Sequence, residues 1–253
     1  MHPEARAAFF LAADRLPDPL PAWEYHVHSR WSDGSADLAT VVRVAVAMGL
    51  RRVVFTEHTE PGLTPGAGWF GTYAAEVRAL AAAQAGVVDL RVGLEVPAMD
   101  YDGGLDLTAE MIEGTDFILG AVHALPERGC LGGRGNPRDA IDREFRALMG
   151  LLDNPLVDAL AHPGGVCQRY VAPFPMELFE AVVEKAAVRG VAIELNPAYQ
   201  EPMQPYFDLC RRHGALISPG SNAHRPEEMG LALQVLEQVR VMCPEWGGHP
   251  KHI

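Results

Sequence analysis

A chain of 253 residues, 48% hydrophobic and 21% charged, can bury a sizeable core without disulfide or metal staples, and its length suits one large α/β unit. Its formal net charge of -12 sets up a field that repels nucleic acid and anionic lipid surfaces, which argues against both as partners. The cysteines, Cys130, Cys167, Cys210 and Cys243, form no CxxC pair and predict a reducing, cytoplasmic setting.

The first segment, "MHPEARAAFFLAADRLPDP", has charges scattered through its apolar part. It reads as a short amphipathic helical extension over residues 1–20, stopped at Pro17, and makes a poor signal peptide. No apolar run approaches the roughly 20 residues needed to span a bilayer. From there short Val-, Ile- and Leu-rich runs alternate with helix-period segments. "WEYHVH" precedes "ADLATVVRVAVAMG", and "RRVVFTE" precedes "YAAEVRALAAAQAG". "DLRVGLE" and "DFILGAVH" follow, the latter leading to "NPRDAIDREFRALMGLL". "LVDALAH" precedes "MELFEAVVEKAAVRG", "GVAIELN" precedes "PYFDLCRRHG", and "ALISPGS" comes last. Strand alternating with helix implies parallel strands joined by right-handed crossovers. About seven such units point to a barrel rather than an open sheet, in a single domain over 1–253 with no linker. The Gly/Pro-rich stretches "EPGLTPGAGWFG" and "PERGCLGGRGNP" follow the second and fourth of these strands, where a barrel carries its site loops.

Six of the ten histidines fall at the C-terminal ends of these strands: His26, His28, His58, His123, His162 and His224. In a parallel barrel those ends open onto one face, where chemistry is done. Acidic and amide groups accompany them: Asp33 after the first strand, Glu57 beside His58, Glu95 at the end of the third, Glu194 and Asn196 at the end of the sixth, and Asn222 two residues before His224. Imidazole and carboxylate are donors that suit Zn, Mn and Fe. The i, i+2 spacing of His26 and His28 lets both grip one ion, and a carboxylate such as Glu95 can bridge a pair of ions able to clamp a phosphate. Any one of these histidines could be a polar strand cap; six at one rim favour a metal centre. His2, His213, His249 and His252 lie near the termini or on a helix and read as surface residues.

The wording and order of the motifs resemble the PHP superfamily (polymerase and histidinol phosphatase). "YHVHSRWSDG" is similar to its opening H-x-H motif, "VVFTEH" to the second, "GLEV" to the third, "GAVH" to the fourth, "LAHPGG" to the fifth and "SPGSNAHRPEEMG" to the closing G-S-D-A-H motif. "AHPGGVCQRY" and "SNAHRPEEMG" look most like the histidinol-phosphate phosphatase branch. The resemblance implies a distorted (β/α)7 TIM-like barrel with two or three divalent ions (Zn, Mn or Fe). Carried over by position, one ion would take His26, His28, Glu95 and Asn222; a second Glu95, His123 and His162; a third Asp33, His58 and His224. The implied chemistry is phosphomonoester hydrolysis, the ions activating a hydroxide for attack on phosphorus, with L-histidinol phosphate the named candidate substrate. Glu95, Asn222 and Arg169 would carry the catalytic step.

Asn222 departs from the family pattern, which has aspartate there. An amide oxygen still coordinates, but it is neutral and a weaker donor. The remaining ligands, two carboxylates and six imidazoles, suffice for at least two ions. Three readings stand: a working enzyme with a weaker first site, a weakened or non-catalytic metal-binding relative, and an introduced inactivating change. Asn222→Asp is expected to raise metal occupancy and phosphatase rate. Phosphate also needs donors beside the ions. Arg169, Arg225 and Arg128 are the candidates, Arg30 and Arg134 reading as solvated; Trp69, Phe70 and Tyr199 could wall the pocket or plug the core. Another small phosphomonoester, a nucleotide or sugar phosphate, is the alternative substrate. A homo-oligomer is compatible with the sequence.

Overall fold

The structure, a computed structural model, describes residue 6, residues 8–125 and residues 136–242. Its strands are β1 (Leu11–Ala12), β2 (Trp23–Val27), β3 (Arg52–His58), β4 (Asp89–Pro97), β5 (Phe117–Ala121), β6 (Ala159–Leu160), β7 (Ala192–Leu195) and β8 (Leu216–Pro219). From β2 to β8 each pairs in parallel with its successor, and β1 lies antiparallel on β8. The parallel run closes on itself just past its ends. His28 N donates to Ala223 O and Ala223 N to His26 O, both at 2.9 Å, across a bridge between Val27 and Ala223. The result is a distorted TIM-like barrel of seven parallel strands, with β1 added at its seam.

The helices are α1 (Leu38–Ala47), α2 (Trp69–Ala83), α3 (Ala109–Gly114), α4 (Pro137–Leu151), α5 (Gly165–Tyr170), α6 (Met176–Arg189), α7 (Gln204–Arg212) and α8 (Leu231–Met242). Local chemistry fixes their ends. Asp37 caps α1 by accepting from Thr40 N at 2.8 Å. Asn136 caps α4, with Pro137 in its first turn, and left-handed Gly190 closes α6 at φ 65°. None of the described helices is long and apolar enough to cross a membrane.

Buried hydrophobic side chains gather α4, α6 and α7 against the later strands around Leu148, Leu151, Phe179, Val182 and Phe207. A second cluster holds α1 and α2 against β2–β4 around Val42, Phe55, Tyr73 and Val77. Trp69 and Phe70, in the first turn of α2, belong to it, so these two aromatics plug the core. A third, of Phe10, Tyr25, Val54, Phe117 and Leu119, lies below the strand ends.

The N-terminal helix is shorter than the sequence suggests. Residues 6, 8 and 9 are helical, but Leu11–Ala12 form β1 well before Pro17. The open edge of β8 offers Leu11 and Ala12 backbone partners that a lone amphipathic turn lacks. Arg6 anchors this segment through a buried 2.9 Å ion pair with Asp158 and bonds to the carbonyls of Pro155 and Val157. Helix α5 and strand β1 are the elements least visible in the sequence. Each is shorter than the stretch over which its period can be recognised.

Candidate metal centre

Strand β2 delivers His26, and the next pleat His28; both are buried. Two residues before His26, buried Glu24 accepts from Ser221 N at 2.8 Å, Ser221 Oγ at 2.5 Å and Gly230 N at 2.7 Å. That fastens the loop after β8 to β2 and sets Asn222 Oδ1 at 3.1 Å from His28 Nε2. The i, i+2 spacing of Asn222 and His224 thus spreads them over neighbouring groups. Asn222 faces His28, while His224 Nε2 lies 3.3 Å from Asp33.

Glu95 stands at the middle, fully buried. Its Oε1 is 3.0 Å from both His123 Nε2 and His162 Nε2. Its Oε2 is 3.2 Å from His26 Nε2, 3.5 Å from His28 Nε2 and 3.3 Å from His58 Nδ1. Asp33 forms a second focus, 3.5 Å from His58 Nε2 and 4.0 Å from His28 Nδ1. Among the described residues, five groups of three or more ligand atoms lie close enough to share a cation. Three of them contain the sets His26/His28/Glu95, Glu95/His123/His162 and Asp33/His58/His224 that the family resemblance implies, the last with His28 added. Every metal-ligating candidate from the sequence, His26, His28, Asp33, His58, Glu95, His123, His162, Asn222 and His224, meets at this rim.

The donors fit divalent cations. Glu95 Oε2, His28 Nδ1 and His58 Nδ1 are buried without hydrogen-bond partners, an arrangement that costs free energy unless something charged faces them. Electrostatics agree. Burial disfavours an ionised Glu95, yet the imidazoles of His123 and His26 hold it well below the usual carboxylate range. Burial, then the neighbouring rings of His26 and His58, push His28 well below the usual histidine value, so it is a neutral donor. Burial also opposes a proton on His123, but Glu95 and Glu60 raise it to about 10. Without metal, protons balance the carboxylates; a cation can take over that charge.

Carboxylates behind the histidines fix their orientation. His26 Nδ1 donates to Glu194 Oε1 at 2.6 Å, leaving Nε2 to face Glu95. Glu194 also accepts from His162 N at 2.6 Å, where His162 holds a strained φ of 25°. Glu60, which the sequence reading passed over, does for His123 Nδ1 what Glu194 does for His26. The signal was present as His58-x-Glu60 in "TEHTEP", but a carboxylate in a Gly/Pro-rich loop has no strand parity to point it.

Several other candidates fall elsewhere. Glu57 turns away from His58 and accepts from Ser29 Oγ at 2.6 Å and Ser32 Oγ at 2.5 Å, bracing the turn that presents Asp33. Asn196 accepts from Ala198 N and donates its own N–H to Gln200, shaping the loop that carries Tyr199. Arg169, on α5, reaches Tyr199 Oη at 3.3 Å, and the Tyr199 ring lies 4.6 Å from that of His162. Both line a cavity of about 420 Å³ whose walls include Asp33, His58, Glu95 and His123. A polar recess of about 550 Å³ adjoins it, bounded by Gln168, Glu201 and Asn222. Arg225 does not line that cavity; its guanidinium is paired with Glu228 at 2.7 Å. Arg30 donates to Ser35 O, and Arg128 and Arg134 lie outside the described residues.

Barrel and site together define a class: a parallel α/β barrel with a histidine-rich, carboxylate-centred cluster at the C-terminal rim of its strands. Within that class, the chain belongs to the PHP domain family, whose model matches residues 24–198. A probable phosphatase of Acetivibrio thermocellus is 31% identical over 161 residues, which is 60% of each chain. One of Clostridium novyi is 28% identical, over 52% of this chain and 51% of the relative. The chain therefore spans between half and two thirds of these two relatives. A probable phosphatase of Thermoanaerobacter sp. is 27% identical, over 78% of this chain and 76% of the relative. Among solved structures, histidinol phosphate phosphatase from Lactococcus lactis, complexed with zinc, L-histidinol and phosphate, superposes with a TM-score of 0.68 at 20% identity, over 90% of this chain and 94% of that one. The putative histidinol phosphatase of Listeria monocytogenes gives 0.69 at 15% identity, over 82% and 97%. At such identities these two speak for the fold.

Proposed function

We propose that this chain is a metal-dependent phosphomonoesterase acting on a small phosphorylated substrate. The observation that carries the reading is Glu95, a buried carboxylate whose oxygens face five imidazoles from four strand ends. His26, His28 and Glu95, with the amide oxygen of Asn222, would hold one divalent ion; Glu95, His123 and His162 a second; Asp33, His58 and His224 a third. Such ions, when bound, neutralise charge developing on a phosphoryl group and acidify water at neutral pH. The chain's own part is to hold the donors rigidly. Glu194 keeps Nε2 of His26 pointed inward, Glu24 pins Asn222, and the mouth of the cavity offers Arg169 and Tyr199 to phosphate oxygens. The phosphatase names of the curated relatives support the reaction class.

L-Histidinol phosphate is the substrate we put first, on the strength of the Lactococcus fold and the wording of the last two motifs. The polar recess beside Arg169 suits a hydrophilic leaving group, which also admits other small phosphomonoesters. We propose further that residues 1–253 work as a single domain. The test is phosphate release from a panel of phosphomonoesters with added Mn²⁺ or Zn²⁺. Release from histidinol phosphate alone supports the first substrate, and broad release the second reading. Metal binding without turnover would make the chain a non-catalytic module. Glu95→Gln should abolish turnover and weaken metal binding by more than about 100-fold, the upper end of what losing an outer carboxylate costs.

A further inference from the structure

We propose that Glu60 is a positioning residue of the cluster and supplies, from the opposite side, the negative charge that Asn222 does not. The inference rests on the metal-centre reading above. A continuous row of contacts joins the two positions. Asn222 Oδ1 is 3.1 Å from His28 Nε2, which is 3.5 Å from Glu95 Oε2. That oxygen is 3.3 Å from His58 Nδ1, which is 3.5 Å from Glu60 Oε2. A neutral amide therefore ends the row at one side and a carboxylate at the other, with Glu95 between them.

Glu60 is built into the site. Its Oε1 accepts from His123 Nδ1, so His123 must present Nε2 to Glu95. Its Oε2 is buried and has no hydrogen-bond partner. The His58, Glu60 and His123 donor atoms lie close enough together to face one cation. His58 and His123 belong to different proposed ions, so Glu60 touches both. Through low-dielectric surroundings, a full charge one imidazole away from an ion still acts on it strongly. The loop that carries Glu60 begins at the end of β3, and among the described residues the ion pairs of its carboxylate are those with His58 and His123.

Four proteins test this: wild type, Glu60→Gln, Asn222→Asp and the double variant, with Glu60→Asp as the conservative control. Each is stripped of metal, checked for unaltered circular dichroism, and titrated with Zn²⁺ and Mn²⁺ by calorimetry, with ion content read by elemental analysis. Glu60→Gln should bind about ten- to hundred-fold more weakly, and Glu60→Asp should recover most of that loss. Asn222→Asp should tighten binding in wild type and tighten it more in the Glu60→Gln background, because there neither end of the row otherwise carries a charge. Equal gains in both backgrounds, or Glu60→Gln binding like wild type, overturn the proposal. Should wild type itself bind no divalent ion, the metal-centre reading fails with it, a result distinct from either of those.

Discussion

Glu95 contributes through its neighbours. A carboxylate taken out of water is costly, and it is tolerated here because His123, His26 and His162 face it at ion-pair distances. The same logic makes the ion-free site sensitive to pH. His123 is raised to about 10 by Glu95 and Glu60 in spite of its burial, and Glu60 is held down at about 2 by His123 and His58 although burial alone would raise it. A raised histidine stabilises the fold fully below its unfolded value of about 6.5, and that stability is lost as pH climbs through 10. A depressed carboxyl stabilises above its unfolded value of about 4.3 and loses that effect as pH falls through 2. The pair's full contribution therefore lies between about pH 4.5 and 6.5. We expect the melting temperature of chelated protein to decline from there towards pH 10, measured by scanning calorimetry. A flat profile over that range would show that the pair contributes nothing. Metal binding should strengthen over the same rise in pH, since each ion must displace these protons.

Elements deliver these residues only if their backbones approach closely. Gly220, at the end of β8, shows this. A Cβ there would sit 1.9 Å from Glu194 Oε1 and 2.9 Å from His26 Cβ. Gly220→Ala must therefore push Glu194 off His26 Nδ1 or shift the strand. We expect a loss of about 1–3 kcal/mol in chemical denaturation, together with weaker metal binding than wild type. Destabilisation without a metal effect would mean that Glu194 finds its way back to His26. Helix α5 depends on a similar tie. Buried Glu144 on α4 accepts from Val166 N at 3.0 Å and Cys167 N at 2.7 Å, seating the first turn of the helix that carries Arg169. The sequence stretch "AHPGGVCQRY" gives no helix signal of its own, because six residues are too few for a periodic pattern and their partner lies more than twenty positions upstream.

At the scale of the molecule, barrel closure and metal binding are linked. Strands β2 and β8 meet through a short bridge at Val27 and Ala223, beside His26, His28 and Asn222. Ligands shared across that seam tie the first strand to the last. An ion present at a hundred times its dissociation constant stabilises a native state by about 2.7 kcal/mol per site. For a chain of this size that corresponds to a rise of roughly 5–10 °C in melting temperature, reversed by chelator. Thermal scans with and without Zn²⁺ measure it directly. No shift with ion in large excess would mean that the ion binds the native chain no better than the unfolded one.

The sequence by itself determined the architecture and the inventory of donors. Alternating short apolar runs and helical periods leave a parallel barrel as the economical solution, and parallel strands place all C-terminal ends on one face. His26, His28, His58, Glu95, His123 and His162 could be read off because strand ends are local features. Tertiary structure alone decided what the carboxylates and arginines between them do. Glu57 and Glu60 both flank His58, yet one braces a serine turn and the other meets His123. Arg225 follows the closing histidine but folds back onto Glu228, while Arg169 reaches the cavity. The physical reason is that a strand fixes side-chain direction by its pleat, whereas a loop residue points wherever long-range contacts send it.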